Sequence, residues 1–281
     1  MAFTTLSLEV ADHVAEVTLC RPEALNTMNR AFWQEMVDLF DELDRRGDVR
    51  VVVIASTGRH FTAGLDLNDF GGTLMAADEE PTRIRERLRR TVKEMQETFN
   101  VVDRCRAPVL AAVQGGCIGG GIDLISACDM RYCSEDAFFT VHEINIAITA
   151  DVGTLQRLPH VVPQGVAREL AYTGRRMPAA EAREVGLVNR VFPDHTALLE
   201  GVRAVAREIA SKSPLAMAGT KEMLNYARDH SIADGLDYVA AWNAAMLGST
   251  DLMEAFQAQQ QNRAPAYGDL LPPAEVVSRK R

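Results

Sequence analysis

The sequence has few cysteines for its length, and their spacing argues against cross-linked or metal-bound folds. The chain of 281 residues contains five cysteines, an odd number, and no two of them form a CxxC pair. Disulfide frameworks and structural zinc sites need paired or closely spaced cysteines, so neither is expected. The six histidines form no HxxxH or HxH pair, and we therefore predict no metal site. Scattered thiols are typical of a reducing compartment.

Long apolar runs and an excess of positive charge are also missing. No segment reaches the length of a transmembrane helix. The opening MAFTTLSLEV has neither a basic start with an apolar core nor an arginine-rich amphipathic pattern, and the final SRKR differs from a peroxisomal signal. The formal net charge of -9 argues against nucleic acids and anionic membranes as partners. We therefore predict a cytoplasmic protein that binds neither.

The rest of the composition is that of an ordinary globular protein in which strands alternate with helices. Hydrophobic residues make up 47% of the chain and charged residues 25%, and its length suits one large domain or one domain with a small appendage. Alternating apolar residues predict a hairpin over 5–10 and 13–20. A helix over 30–46, with Asn29 as its N-cap, and a buried strand over 48–56 follow. This order of strand, strand and helix then recurs.

A glycine triplet lies where a strand is predicted to turn into a helix. Gly119, Gly120 and Gly121 follow the strand-like run 108–113 and precede the helix-like run 122–127. Backbone N–H groups lack partners at such a turn, and glycine allows a ligand to approach them closely. Because the first turn of a helix also favours negative charge, the triplet predicts half of an oxyanion hole.

Three carboxylates border this glycine turn. Asp123 lies in the first turn of the predicted helix, Glu143 ends the strand-like run 138–142, and Asp151 opens the helix-like segment 152–158. Acids in apolar surroundings suit proton transfer, because burial raises carboxyl pKa values toward neutral pH. Each acid also has a structural interpretation. Asp123 could stabilise the helix dipole, Glu143 could form a salt bridge, and Asp151 could be an N-cap.

A second glycine-containing loop, TGRHFTAGLDLND, spans residues 57–69. It follows a predicted buried strand and places Gly64 beside the backbone N–H of Leu65. That amide could be a second oxyanion donor, whereas the simpler interpretation is a turn after a strand. Single Ala-Gly pairs are common, so the functional interpretation depends on the triplet and on the motifs described next.

Three motifs resemble the signature of the crotonase, or enoyl-CoA hydratase/isomerase, superfamily. They are GGGID, AFFTVHEINIAITADVGTLQRL and FTAGLDL. The resemblance implies an α/β fold of the ClpP/crotonase type, a spiral of ββα units with a C-terminal helical oligomerisation region. Within the superfamily, the acids are similar to those of the Δ3,5-Δ2,4-dienoyl-CoA isomerases. Those enzymes have Asp, Glu and Asp where hydratases typically have Glu, Glu and Gly, and this chain has Asp123, Glu143 and Asp151.

The resemblance implies an enzyme of fatty-acid β-oxidation that shifts 3,5-dienoyl-CoA to 2,4-dienoyl-CoA. The backbone N–H groups of Leu65 and Gly120 would stabilise a dienolate in the oxyanion hole. Glu143 would remove a proton from C2, Asp151 would protonate C6, and Asp123 would tune or orient them. No cofactor is expected, because coenzyme A is part of the substrate.

The same resemblance implies a wider acyl-CoA site formed by the two glycine loops and two remote segments. Its residues are Ala24, Ala63, Gly64, Leu65, Asp66, Leu67, Gly120, Gly121 and Phe256. Phe256 matches an aromatic residue that lines a coenzyme A site, either its own or a neighbour's. The stretch NRAPAY near the end does not match the family's basic residue, so the contacts to the coenzyme A phosphates stay open. An arginine cluster on the predicted helix over 82–104 could supply them, although a solvated helix face is the simpler interpretation. The cluster consists of Arg83, Arg85, Arg87, Arg89 and Arg90.

The helical pattern of the C-terminal third, together with the resemblance, predicts two parts. Residues 1–194 would form the α/β core with the coenzyme A site and the active site. Residues 195–281 would form a helical region that assembles the protein into homotrimers or into hexamers made of two trimers. A small, polar and acidic stretch over 71–81 predicts a mobile loop within the first part.

Two alternative functions stay open. An enoyl-CoA hydratase or a Δ3-Δ2-enoyl-CoA isomerase would use the same fold, and Asp151 separates them from the first hypothesis because hydration should not need it. A catalytically silent acyl-CoA-binding or RNA-binding relative is disfavoured by the three intact acids and the negative net charge. The fold alone does not decide between these functions.

Overall fold

The computed structural model describes residues 3–70 and 80–274. The predicted mobile loop over 71–81 lies mostly outside these ranges, because residues 71–79 are not among those described, and the terminal SRKR also lies outside them. Within the described ranges, strands and helices alternate around two sheets. None of the helices in these ranges combines the length and the apolar composition that a membrane span requires.

The described part of the chain contains nine strands. They are β1 Leu6–Ala11, β2 Val14–Leu19, β3 Val51–Ser56, β4 Val109–Val113, β5 Gly116–Ile118, β6 Met130–Ser134, β7 Phe138–Thr140, β8 Met177–Pro178 and β9 Arg190–Phe192.

The same residues contain eleven α-helices and three short 3₁₀ segments. The helices are α1 Arg30–Arg45, α2 Leu67–Phe70, α3 Pro81–Arg104, α4 Gly120–Ser126, α5 Thr154–Arg157, α6 Gln164–Thr173, α7 Ala179–Glu184, α8 His195–Ala210, α9 Pro214–Asp229, α10 Ile232–Met246 and α11 Thr250–Gln260. The 3₁₀ segments are Pro22–Ala24, Glu143–Ile146 and Leu158–His160.

The larger sheet has the strand order β1-β2-β3-β4-β6-β9. Strands β1 and β2 form the predicted antiparallel hairpin, and the other neighbouring strands are parallel. Parallel neighbours need crossover connections. Helices α1, α3 and α4 lie in the first three, and α5, α6 and α7 lie in the connection from β6 to β9. The smaller sheet has the order β5-β7-β8, and its strand β5 leads directly into the glycine triplet. The topology therefore places the triplet at the end of a short second sheet.

The core strand β3 is buried along its whole length because helices cover both faces of the larger sheet. Successive side chains of a strand point to opposite faces. Val52 and Ile54 belong to the cluster that includes the apolar face of α1, whereas Val51 and Val53 pack in a second cluster with α8. The run of β-branched residues thus serves two apolar layers, as predicted for a buried strand.

Most predicted elements are present, and the elements that the sequence analysis missed are short. Asn29 caps α1, its side chain accepting a hydrogen bond from the N–H of Phe32 at 3.0 Å. Strand β5 was not predicted, because three residues that include Gly116 show no strand pattern. It forms through pairing with β7, in the register Cys117 opposite Phe139.

The predicted division of the chain after residue 194 stays a prediction. The first helix beyond it, α8, packs on the core sheet through Leu198, Val202 and Ala206. Helix α10, which the structure describes in full, has no buried residue, and its Ile232 is 84% exposed. The C-terminal third therefore combines one helix that completes the core with later helices that expose apolar side chains.

A buried lysine joins α9 to the core. Lys221 is only 6% exposed, and its ammonium group donates hydrogen bonds to the carboxylate of Asp129 at 2.7 Å and to the carbonyl oxygen of Ala107 at 3.1 Å. The same Asp129 carboxylate accepts a hydrogen bond from the N–H of Val109, the first residue of β4, at 2.7 Å. One ion pair, in which the lysine is buried, therefore fixes a C-terminal helix to a central strand.

Replacing this lysine should destabilise the protein. Lys221→Met keeps most of the side-chain volume, but the Asp129 carboxylate loses its ionic partner and keeps only the N–H of Val109, and the carbonyl of Ala107 loses the lysine donor. We expect the free energy of unfolding to fall by about 2–3 kcal/mol, measured from the midpoint of urea denaturation. Arg90→Met is the matched control, because it breaks an exposed ion pair with Glu86 and should leave the midpoint unchanged. Equal midpoints for the two variants would contradict this role of Lys221.

Candidate active site

The site is built where the loop after β3 runs beside β5. Thr62 forms a parallel bridge with Cys117: its N–H donates to the carbonyl of Gly116 at 3.1 Å, and its carbonyl accepts from the N–H of Ile118 at 3.1 Å. The Thr62 hydroxyl donates to the carbonyl of Asn26 at 2.7 Å and is buried. These bonds hold two segments together that are more than fifty residues apart in sequence.

Glycine is required at two positions of this junction because the backbones approach so closely. Gly64 has φ +84°, and a Cβ atom there would lie 2.7 Å from the carbonyl oxygen of Ile118 and 3.5 Å from the nitrogen of Gly120. A Cβ atom on Gly121 would lie 2.7 Å from the side chain of Thr62. Larger residues would push the two loops apart.

Two backbone amides at this junction suit the binding of a negative oxygen. Gly120 is the first residue of α4, so its N–H has no acceptor inside the helix. Leu65 forms a parallel bridge with Met28, in which Met28 and Asp66 donate the hydrogen bonds and the N–H of Leu65 does not. Neither amide donates a hydrogen bond to any group in the described part of the chain. Both residues line the same cavity.

This cavity has a volume of about 390 Å³ and a mostly apolar wall. Trp33, Leu67, Met95 and Ile148 provide apolar surface from different elements. Glu143 and Asp151 are the two carboxyl groups of the described residues that line it. The cavity therefore combines a pair of amide donors, two acids and room for an apolar chain.

Glu143 lies next to the oxyanion glycines. The prediction that it ends a strand is wrong in detail, because β7 ends at Thr140 and Glu143 opens the 3₁₀ segment Glu143–Ile146. A Cβ atom on Gly119 would lie 3.3 Å from the Oε1 atom of Glu143. Its Oε2 atom is buried without a hydrogen-bond partner in the described residues. Burial, together with the charge of the neighbouring Asp123, raises the pKa of Glu143 to about 7.

Asp123 lies behind the cavity wall and does not line it. The residue is 0% exposed, and its Oδ1 atom accepts a hydrogen bond from the N–H of Thr154, the first residue of α5, at 2.5 Å. Its Oδ2 atom has no partner among the described groups. Burial raises the pKa of Asp123 to about 6, although the bond from Thr154 opposes the shift. Asp123 thus connects α4 to the start of α5.

Asp151 lies on the loop that leads into α5. This helix begins at Thr154 with Gly153 as its N-cap, so the structural interpretation of Asp151 as an N-cap is wrong. Its carbonyl oxygen accepts a hydrogen bond from the side chain of Gln96 at 2.7 Å, which fixes the loop to α3. Partial burial raises the pKa of the Asp151 carboxyl above its ordinary value. The side chain remains on the cavity wall.

The arginines near these three carboxyl groups are engaged by other partners. Arg157 points to Asp103, with its Nε atom 3.3 Å from a carboxylate oxygen, and donates to the side chain of Asn100 at 2.7 Å. Arg176, at the edge of the cavity, lies over the ring of Phe138, 4.5 Å from its centroid. Within the described ranges, none of the three acids forms an ion pair. Burial therefore raises the pKa values of all three acids without an ion pair among the described residues to offset it.

The residues of the predicted acyl-CoA site fall into two groups. Those that line the cavity are Ala63, Gly64, Leu65, Leu67 and Gly120. Those that lie outside its lining are Ala24, Asp66, Gly121 and Phe256.

The second group has other contacts in this structure. Asp66 accepts a hydrogen bond from Thr27 at 3.0 Å and pairs with Arg21 at 3.7 Å, so it fixes the loop. Ala24 ends the 3₁₀ segment Pro22–Ala24 beside that loop. Phe256 of α11 is 54% exposed and does not reach the cavity of its own chain.

Sequence reasoning missed the residues that act through tertiary packing. Gln96 and Thr154 each fix one end of the segment that carries Asp151, and Trp33 and Met95 close one side of the cavity. Only the helical periodicity of α1 and α3 hinted at the last two, and it indicated core positions rather than a ligand site. Among the described residues, no group of three or more His, Cys, Asp or Glu side chains is arranged to hold a metal ion.

Comparison with known proteins agrees with this geometry. The sequence profile of the enoyl-CoA hydratase/isomerase family matches residues 9–269. The human mitochondrial Delta(3,5)-Delta(2,4)-dienoyl-CoA isomerase is 51% identical over 253 residues, covering 89% of this chain and 77% of that protein. The peroxisomal isomerase of the same name from Arabidopsis thaliana is 46% identical over 259 residues, covering 92% of this chain and 93% of that protein.

Solved structures confirm the predicted crotonase fold. The enoyl-CoA hydratase from Bacillus anthracis superposes with a TM-score of 0.85 at 32% identity, covering 94% of this chain and 99% of that chain. A putative enoyl-CoA hydratase from Streptomyces coelicolor superposes with a TM-score of 0.88 at 30% identity, covering 95% of each chain.

The relatives contradict one prediction. The sequence analysis predicted a cytoplasmic protein, but the similar isomerases are named as mitochondrial or peroxisomal proteins. Scattered cysteines and the absence of a recognised address were therefore a poor guide to the compartment, since they report on neither organelle directly. The family itself follows from the profile match, the identities and the superpositions together. The chain belongs to the enoyl-CoA hydratase/isomerase family.

Proposed function

We propose that the protein is a Δ3,5-Δ2,4-dienoyl-CoA isomerase that acts in the β-oxidation of unsaturated fatty acids. The observation that carries the proposal is one cavity lined by two acids, Glu143 and Asp151, and by the two amide-bearing residues Leu65 and Gly120. The names and identities of the curated relatives support the same activity. An acyl-CoA thioester is the substrate class that such a site suits.

The thioester oxygen would bind between the N–H groups of Leu65 and Gly120. Removing a proton from C2 turns the thioester into an enolate, and the negative charge that develops on its oxygen needs these donors. Loss of one such donor in other enzymes costs roughly 3 kcal/mol of transition-state stabilisation. The close junction of the two glycine loops supports this arrangement, because it places both residues on one cavity.

The two acids would act at opposite ends of the conjugated system. Glu143 takes the proton from C2, and the electrons of that C–H bond spread through C3 to C6 and onto the thioester oxygen. Asp151 then donates a proton to C6, which leaves double bonds at C2 and C4. The cycle ends with Glu143 protonated and Asp151 ionised. Asp151, an exposed residue, then takes a proton from water, and Glu143 gives its proton to water once the product has left. No cofactor takes part in these steps, because coenzyme A belongs to the substrate.

Asp123 would act as a positioning residue. Asp123 does not line the cavity, but it accepts a hydrogen bond from the N–H of Thr154 and so fixes the loop that carries Asp151. Its negative charge also raises the pKa of Glu143. Asp123 would therefore influence the reaction only indirectly, through the loop of Asp151 and through the pKa of Glu143.

We also propose that the chain assembles into trimers, alone or paired as hexamers. The support is the apolar surface of the C-terminal helices, where Leu224, Leu236 and Leu247 are 69%, 62% and 62% exposed. In such an assembly the exposed Phe256 of one chain would line a coenzyme A site of a neighbour. Sedimentation equilibrium measures the state directly.

Variants of the two acids should separate the two proton transfers. We expect Asp151→Asn to slow formation of the conjugated 2,4-dienoyl thioester by roughly 10²–10⁴-fold, followed by ultraviolet absorbance with 3,5-octadienoyl-CoA. The same variant should still exchange deuterium from D₂O into C2, because Glu143 remains. Glu143→Gln should lose both reactions.

Two results would contradict this assignment. If Asp151→Asn formed product at the wild-type rate, Asp151 would have no role in the shift. If the wild type consumed crotonyl-CoA rapidly, produced no conjugated diene and was unaffected by the substitution, the protein would be a hydratase.

The pH dependence of kcat/KM should be bell-shaped. Turnover needs an ionised Glu143 and a protonated Asp151, so the pair must hold one proton. Burial raises the pKa of Glu143 to about 7, and above this pH the pair loses that proton. We therefore expect kcat/KM to fall above about pH 7. It should also fall in acid, where a second proton binds, at a pH above the ordinary aspartate range because burial raises the pKa of Asp151.

Asp123→Asn should move the alkaline limb of this profile toward lower pH. The substitution removes a negative charge that raises the pKa of Glu143, so the proton is lost at a lower pH. A purely structural defect would reduce kcat/KM at every pH and leave the limb in place, and that outcome would refute the electrostatic role of Asp123.

A further inference from the structure

The direction of the acyl chain beyond C6 follows from the position of Asp151, and this inference rests on the proposed function. With the thioester oxygen at Leu65 and Gly120, C6 lies at Asp151. The carbonyl of Asp151 is hydrogen-bonded to Gln96 of α3. Carbons beyond C6 therefore leave the reacting region close to α3.

At this end the cavity shares two wall residues with a second depression. Trp33 of α1 and Met95 of α3 line the active-site cavity and also a groove between these two helices. The groove has a volume of about 430 Å³, and Val37 and the side chain of Gln34 continue its wall along α1. Two side chains thus separate the acyl site from a space that could hold more carbons.

Trp33 is the rigid half of this wall. Its indole N–H donates to the carbonyl of Met28 at 3.2 Å, and its ring makes edge-to-face contacts with Phe32 and Phe99 at centroid distances of 5.7 and 5.5 Å. Met28 in turn pairs with Leu65 in the oxyanion loop. A change at Trp33 would therefore disturb the catalytic junction itself.

Met95 is the deformable half. It lies on the partly buried face of α3, packed against the edge of the core. An unbranched thioether side chain has three rotatable bonds and adapts its shape easily. Turning it aside would join the two spaces without moving a helix.

Two of the three charged residues on the groove wall, Arg30 and Glu97, have partners outside it, and the third, Glu94, adds a carboxylate to the wall. Arg30 pairs with Asp69, with its Nε atom 3.5 Å from a carboxylate oxygen. Glu97 pairs with Arg104. The apolar part of the groove is formed by Trp33, Met95 and Val37, and two of these residues, Trp33 and Met95, also line the acyl cavity.

We propose that Met95 sets the acyl-chain length that the enzyme accepts, and that the groove between α1 and α3 receives the distal carbons of long substrates. The occupant is the substrate's own hydrocarbon tail, because the groove shares its wall with the acyl cavity. Met95 is a specificity-determining residue in this proposal and takes no part in proton transfer.

The test compares 3,5-dienoyl-CoA substrates of 8, 12 and 16 carbons, each measured as kcat/KM. Moving one methylene out of water favours binding roughly fourfold. Met95→Ala should raise the ratio of kcat/KM for the longest substrate to that for the shortest by about tenfold or more. Met95→Phe should lower this ratio, because a rigid ring fills the opening.

Leu88→Ala is the matched control. Leu88 lies two turns earlier on α3, is 43% exposed and lines neither space, so its substitution should leave the ratio unchanged. If both Met95 variants kept the wild-type ratio while turning over the shortest substrate normally, the proposal would be overturned.

A binding measurement separates this proposal from the proposed function. Calorimetric dissociation constants for saturated acyl-CoAs of the same lengths need no turnover. If substitution of Met95 changes the preference for acyl-chain length in binding, the groove assignment is supported. This holds even if the wild type isomerises no dienoyl-CoA, and in that case only the proposed function fails. If the dissociation constants depended on chain length in the same way for the wild type and both Met95 variants, the assignment of the groove would be wrong.

Discussion

The short ladder between Thr62 and β5 is the constraint on which the rest of the site depends. It joins the loop that carries Leu65 to the segment that carries Gly120, and without it the two amides would belong to unrelated parts of the chain. The approach is so close that side chains at Gly64 and Gly121 would collide with the opposite segment. Donors fixed in this way need little reorganisation when charge develops on a bound oxygen, and such preorganisation is what makes backbone amides effective. The larger sheet serves mainly to present this junction.

The second constraint is electrostatic and follows from the first. An apolar cavity that can hold an acyl chain also removes carboxyl groups from water, so the pKa values of Glu143 and Asp123 rise to about 7 and about 6. The nearby Arg157 lowers the pKa of Asp123, but burial outweighs this effect, and the guanidinium itself is paired with Asp103 and Asn100. The acids consequently share protons near neutral pH, which a reaction that takes one proton and gives another requires. The raised pKa values and the room for an acyl chain are therefore both consequences of the same apolar cavity.

What the sequence could and could not predict follows from which contacts are local. The helix α1, its cap at Asn29 and the glycine turn before α4 depend on neighbouring residues, and all were predicted within one or two positions. Strand β5 was missed because it exists only through its pairing with β7. The 3₁₀ segment at Glu143 was missed for a related reason, since its shape depends on the surrounding packing. The three acids could be selected as candidates from the sequence, but only the fold separates Asp123, behind the wall, from the two acids on it.

Helix α3 connects the chemistry to the choice of substrate. The crotonase fold serves several reactions, so the fold cannot by itself determine which carbon receives a proton. In the proposed mechanism that choice depends on where the loop of Asp151 lies, and the loop is held by Gln96 from α3 on one side and by the bond between Asp123 and Thr154 on the other. Gln96 bonds to the main chain, which leaves the carboxyl group of Asp151 available to the cavity. The adjacent residue, Met95, lines the same cavity and the neighbouring groove, where the proposed acyl chain continues. Neighbouring residues of one helix fix the loop of Asp151 and line the cavity. Under the two proposals, a displacement of α3 would therefore change both the position of protonation and the length of acyl chain that fits.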